Sequence, residues 1–132
     1  VNGPVGRCFT FITEGGERSF GINAGKMDHL DVEHIPEAII KDSSALAITA
    51  YLVRGADGTP MKEAAMAAVR YAREAGVPVV LTLGTRFVID ENPQWWRDFI
   101  SENVTVLAMN EDEAEALTGI KDPLGAADKA LD

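Results

Sequence analysis

The sequence is poor in cysteine and in basic residues, and each shortage excludes a class of protein. Cys8 is the only cysteine, so no disulfide forms within the chain and a reducing, cytoplasmic compartment is predicted. Lysine and arginine number 12 against 21 aspartates and glutamates, which gives a net charge of −9. Nucleic-acid binding needs clustered basic side chains, so no nucleic-acid partner is predicted. Long apolar runs are also lacking, which predicts no membrane partner.

Both ends of the chain lack the usual boundary signals. Residues 1–4 contain neither an initiating methionine nor a signal-peptide pattern, and residues 124–132 resemble a helix without a terminating residue. We therefore expect these 132 residues to be an internal piece of a larger protein.

The first part of the chain predicts a β-hairpin. Two strand candidates at 7–13 and 18–23 flank a turn that contains Gly15 and Gly16. An isolated hairpin is marginally stable, so we expect it to pack on a ligand or a partner chain. We predict that residues 1–27 form this hairpin segment and that residues 28–132 form a partial α/β core.

Apolar runs alternate with helix signals in the second segment. The runs at 45–53, 77–84 and 103–109 are continuous, which is typical of strands covered on both faces. A short helix is predicted near 35–41, and Thr59-Pro60 and Asn92-Pro93 mark two further helix starts. This order predicts an α/β fold with parallel strands and right-handed crossovers.

The junction after the third apolar run holds the best candidate binding groups. Asn110 follows the run and Glu113 lies one helical turn further on. Ligands of open α/β sheets bind outside the carboxyl ends of the strands. The same pair also fits a capping box, in which each side chain accepts a hydrogen bond from the other residue's amide. Capping leaves one carboxylate oxygen for a metal's hydration shell, so both interpretations stay open.

Other candidate groups are better explained by packing or solvation. Residues 21–27 differ from a phosphate loop in glycine spacing, and Met27 stands where Ser or Thr would hold magnesium. Trp95 and Trp96 lie at helical spacing from Phe99 and Ile100, which predicts packing. Arg86 follows the end of a buried strand and could meet phosphate through its forked donors, but judged alone it is predicted to be a solvated arginine.

Several phrases, taken together, resemble the PfkB (ribokinase-like) family of sugar and nucleoside kinases. They are GGERSF at 15–20, LTLGTRFVI at 81–89, NPQWW at 92–96, LAMNE at 107–111 with EALTG at 115–119, and DKALD at 128–132. The resemblance covers essentially the whole chain. It implies the central part of a doubly wound parallel sheet, βαβαβα, preceded by a lid hairpin.

The resemblance also implies an activity, which is transfer of the ATP γ-phosphoryl group to the ribose 5′-hydroxyl of inosine or guanosine, a purine salvage reaction. Glu113 would order water bound to Mg²⁺, and Asn110 would contact phosphate or that hydration shell.

The lid would supply the nucleoside pocket. Phe20 and Ile22 alternate onto one lid face, with Cys8 on the facing strand, and would cover the base; ordinary lid packing is the alternative. Arg18 would approach the phosphates. Tyr51 and Leu52 would line the pocket from the carboxyl end of a strand.

The family's catalytic base and anion hole lie in a Gly-Ala-Gly-Asp motif, which we expect downstream of Asp132. These 132 residues alone are therefore expected to be inactive. Two alternatives remain: another PfkB kinase acting on a sugar or sugar phosphate, and a non-catalytic α/β module whose hairpin forms a homodimer.

Overall fold

The computed structural model describes residues 3–131 as a hairpin followed by an α/β layer. The strands are β1 Arg7–Ile12, β2 Arg18–Asn23, β3 Leu46–Thr49, β4 Val79–Thr82 and β5 Val106–Ala108. The helices are α1 Glu37–Lys41, α2 Ala50–Val53, α3 Pro60–Glu74, α4 Arg86–Asp90, α5 Pro93–Asn103, α6 Glu111–Thr118 and α7 Pro123–Lys129. Two 3₁₀ turns, Met27–His29 and Val32–His34, lead from the hairpin to α1. Val1, Asn2 and Asp132, on which the predicted ends depend, lie outside the described residues.

The three strands of the core pair in parallel, as predicted, and the structure gives their order, β3-β4-β5. Ile48 pairs with Leu81, and Leu81 pairs with Leu107. α3 and α5 make the crossovers and both begin at the predicted prolines, Pro60 and Pro93. The α/β class and the parallel topology are confirmed.

Helices cover one face of this sheet. Ile48, Val79 and Leu81 are buried in a core with apolar side chains of α3 and α5. On the opposite face, Ala47, Thr82, Val106 and Ala108 are exposed. Among the described residues, only one of the two faces predicted to be covered is covered. An apolar strand shows that a face is suited to burial, but it does not show which stretch of chain covers that face.

The first predicted strand of the core, at 45–53, ends earlier than expected. β3 stops at Thr49, and the apolar run continues as the short helix α2. Tyr51 and Leu52 therefore lie on a helix that follows the strand, which corrects the prediction that they end the strand itself. Hydropathy alone does not separate a buried strand from a short buried helix, because both are continuous apolar runs.

The hairpin presents apolar side chains on both of its faces. β1 and β2 are antiparallel, and Cys8 pairs with Ile22, so Cys8, Ile22 and Phe20 share one face as predicted. Phe9 and Phe11 lie on the other face and are 61% and 63% exposed. Within residues 3–131, no helix combines the length and apolar character that crossing a bilayer requires.

Candidate functional site

The carboxyl ends of the three parallel strands meet at one edge of the sheet. β3, β4 and β5 end at Thr49, Thr82 and Ala108. The Leu83 amide donates to the Ala108 carbonyl at 3.2 Å, so β4 and β5 stay joined beyond the last strand residue of β4. Because three helices, α2, α4 and α6, begin just after these ends, their first residues line the edge.

Asn110 and Glu113 form the predicted capping box at the start of α6. The Glu113 amide donates to Asn110 Oδ1 at 2.9 Å, and the Asn110 amide donates to Glu113 Oε2 at 3.1 Å. Asn110 is exposed, whereas Glu113 is only 4% exposed. The capping interpretation is confirmed. The second carboxylate oxygen of Glu113, Oε1, takes no part in the box.

Acidic side chains dominate this end of α6. Glu111, Asp112 and Glu113 occupy its first turn, where the positive end of the helix dipole favours negative charge. Arg86, at the start of α4, lies 3.1 Å from Asp90 and 3.7 Å from Glu115. Arg86 is half-exposed but paired with two carboxylates, so it joins α4 to α6 and is not simply solvated as predicted.

Tyr51 occupies the same edge beside the end of β4. A Cβ atom at Gly84 would lie 3.1 Å from the Tyr51 ring, so the ring packs directly on the glycine backbone. The Arg54 guanidinium lies 5.1 Å from the centre of the ring. Tyr51 remains 43% exposed, while Leu52 is half-buried and packs against the core. Of the two predicted pocket residues, Tyr51 is therefore the more accessible to a ligand.

The lid residues form a separate group. Cys8, Arg18, Phe20 and Ile22 are all exposed. They share no hydrogen bond or ion pair with Tyr51, Leu52, Asn110 or Glu113, all of which are described residues. The structure thus brings together the predicted residues of the sheet edge and, separately, those of the lid, but it does not link the two groups.

Comparisons with known proteins match all or nearly all of the chain. The sequence profile of the pfkB family carbohydrate kinases matches residues 2–132. The chain belongs to the pfkB family. Guanosine-inosine kinase of Escherichia coli strain K12 is 62% identical over 132 residues, which are 100% of this chain and 30% of that protein. The chain therefore spans 30% of the length of the curated relatives that it matches.

Solved structures of kinases confirm the ribokinase-like fold of this pfkB chain. The adenosine kinase from Sinorhizobium meliloti superposes with a TM-score of 0.80 at 27% identity, over 93% of this chain and 37% of that one. A probable sugar kinase from Rhizobium etli CFN 42 gives 0.82 at 27% identity, over 96% and 38%.

One buried charge near this edge of the pfkB chain is not predicted from the sequence alone. Lys62, in the first turns of α3, is 7% exposed. Its ammonium lies 2.7 Å from Asp57 Oδ1 and 4.7 Å from the centre of the Trp95 ring, and it donates to the Gly55 carbonyl at 3.1 Å. Lys62 and Trp95 also line a cavity of about 310 Å³. Lysines are rarely fully buried unless paired, and only the three-dimensional fold shows this pairing.

Proposed function

We propose that this chain is part of a cytoplasmic, ATP-dependent nucleoside kinase that phosphorylates the ribose 5′-hydroxyl of inosine or guanosine in purine salvage. The observation that carries the proposal is the 62% identity to guanosine-inosine kinase along the entire chain. The adenosine kinase among the superposed structures supports a nucleoside substrate. The single, exposed cysteine is in keeping with a reducing compartment.

Phosphoryl transfer depends on positioning and on charge stabilisation more than on covalent chemistry. The carboxyl edge of the sheet suits that task, because side chains from three strand-helix junctions converge there. Asn110 is exposed at this edge and would contact phosphate or the hydration shell of Mg²⁺.

The residues present fit a water-mediated magnesium role for Glu113. Its Oε2 accepts the capping hydrogen bond and the side chain is almost fully buried, so direct ligation does not suit it. Its Oε1 lies outside the capping box and can accept a hydrogen bond from a metal-bound water. Mg²⁺ keeps several of its waters in proteins, and when bound it supplies positive charge to phosphate oxygens. Asn110 and Glu113 would thus hold the ion through its hydration shell.

The nucleoside would lie between the lid and the edge. Phe20 and Ile22, with Cys8 opposite Ile22, give one lid face enough apolar surface to cover a purine base. Arg18 lies on the same face and carries the forked donors that suit phosphate. Tyr51 and Leu52 would form the wall of the pocket on the core side.

Turnover by the intact protein that carries this sequence tests the proposal. Inosine, guanosine, adenosine, ribose and fructose 6-phosphate are compared with ATP and Mg²⁺ under the same conditions. We expect phosphorylation of inosine and guanosine. If only the sugars react, the substrate assignment is wrong and the chain belongs to a sugar or sugar-phosphate kinase. If no substrate reacts, the kinase proposal is wrong and the chain is a non-catalytic module.

A further inference from the structure

The loop between α2 and α3 is held from one side by the first turns of α3. Lys62 reaches back to the Gly55 carbonyl and to Asp57, at 3.1 Å and 2.7 Å. Glu63 Oε1 accepts a hydrogen bond from the Gly58 amide at 3.1 Å. Two adjacent side chains of one helix therefore fix both halves of this loop.

Lys62 differs from Glu63 because it also contacts α5. Its ammonium lies over the Trp95 ring, and Trp95 in turn stacks on Phe99 with ring centres 5.1 Å apart. A buried ammonium needs such compensation, since an unpaired buried charge is costly. The Asp57 side chain, by contrast, is 92% exposed, and it contacts Lys62 through the ion pair. Lys62, a residue of α3, thus contacts both the loop and α5.

The loop begins at a residue that contacts the candidate pocket. Arg54 follows α2 directly, and its guanidinium lies over the ring of Tyr51. Tyr51 packs on Gly84 at the carboxyl edge of the sheet. Movement of Gly55 away from Lys62 would therefore shift Arg54 and loosen the Tyr51 ring.

We propose that Lys62 is a positioning residue for nucleoside binding: by fixing the 54–58 loop against α3 and α5, it holds Arg54 and the Tyr51 ring in place at the pocket. This role rests on the proposed function. Lys62 does not contact the substrate in this role. Its loss should therefore raise the KM for the nucleoside more than it lowers kcat.

Steady-state kinetics of the Lys62→Met variant of the intact protein test this role. Methionine keeps most of the apolar stem and removes the ammonium. We expect the KM for inosine to rise about tenfold, as loss of one charge-assisted anchor predicts. The kcat should stay within about twofold and the KM for ATP should not change, because the phosphate-binding groups are untouched. Asp57→Asn should shift the inosine KM in the same direction by a smaller factor.

Hydrogen exchange of peptides that span residues 50–59 gives a readout that does not depend on activity. Exchange there should be faster in Lys62→Met than in the wild type. Arg70→Met is the matched control, because Arg70 is an exposed cation of the same helix that pairs with Glu74. It should change neither the inosine KM nor the exchange.

The outcomes separate this role from the proposed function. If the wild type phosphorylates inosine and the KM for inosine of Lys62→Met is unchanged, the positioning role is wrong and the proposed function stands. A parallel loss of kcat and of both substrate affinities would show a general structural role instead. A wild type that is inactive with every nucleoside would overturn the proposed function, and the nucleoside role of Lys62 with it.

Discussion

Glu113 has a structural task in the capping box and, in our proposal, a second task in holding hydrated Mg²⁺. Its Oε2 closes the capping box, which stabilises the start of α6, and its Oε1 stays outside the box. A substitution that preserves the hydrogen-bond acceptor and removes the charge will distinguish the two tasks. Glutamine does this, because glutamine at the same helix position also completes a capping box.

We predict that Glu113→Gln in the intact protein folds with nearly wild-type stability but loses activity about 10–100-fold, the usual cost of removing an outer-shell metal partner. The magnesium concentration for half-maximal activity should rise as well. Asp112→Asn, an acid-to-amide change in the same helical turn, is the control and should have little effect. Wild-type activity and magnesium dependence in Glu113→Gln would show that Glu113 serves only as a cap.

Gly84 offers a second test at the residue scale. Its φ of +78° and its contact with the Tyr51 ring both disfavour a side chain. We expect Gly84→Ala to destabilise the protein by about 1–2 kcal/mol through the backbone alone, and to raise the KM for inosine by displacing Tyr51. Gly76, with φ +69° and no atom within 4 Å of an added Cβ, is the control. Chemical denaturation of Gly76→Ala should show a lower free energy of unfolding, from the backbone alone, and its KM for inosine should be unchanged.

The hairpin exposes apolar side chains on both faces, so we expect each face to contact a different partner. In our proposal one apolar face covers the nucleoside, and the opposite face, with Phe9 and Phe11, has no covering element among the described residues. We therefore propose that the second face pairs with the hairpin of a second copy of the protein. Exposed apolar patches of this kind mark interaction surfaces.

Variants of the two faces should have different effects. Phe11→Ser should shift the intact protein from dimer to monomer in light scattering. Phe20→Ser should leave the mass unchanged and raise the KM for inosine. If Phe11→Ser has the same mass as the wild type, the homodimer does not form through this face.

We expect the contact between α1 and α3 to depend on pH through Lys41. Hydrogen bonds to Glu37 and to Glu74, at 2.7 Å and 3.2 Å, raise the pKa of Lys41 above its ordinary value of 10.5. A raised lysine pKa stabilises the fold below the unfolded value, and this stabilisation disappears as the pH passes through the folded value. The difference in melting temperature between wild type and Lys41→Met should therefore be present at pH 7 and shrink above pH 10.5. A difference that stays constant would show that the stem of Lys41, not its charge, joins the helices.

Sequence signals that act between neighbouring residues predict the helix starts correctly. The proline starts of α3 and α5 and the Asn110–Glu113 box are confirmed because capping depends on neighbours in sequence. The helices α2 and α4 were not predicted, because a single helical turn has too few residues to show a period.

At the scale of the whole molecule, the sequence predicts the family and the parallel pairing of the core strands, and both are confirmed. It does not predict the burial of Lys62, because that burial depends on contacts between segments distant in sequence. The division at residue 27 and the roles of the lid residues stay predictions.

A crystal structure of the intact protein with inosine, Mg²⁺ and a non-hydrolysable ATP analogue tests the central claim most directly. We predict that the triphosphate and its hydrated ion lie at the carboxyl edge of the sheet, with Glu113 Oε1 contacting a metal-bound water and Asn110 beside them. The nucleoside should lie between Tyr51 and the Phe20 face of the hairpin. A triphosphate bound away from this edge, with Glu113 contacting only its own helix, would contradict the account.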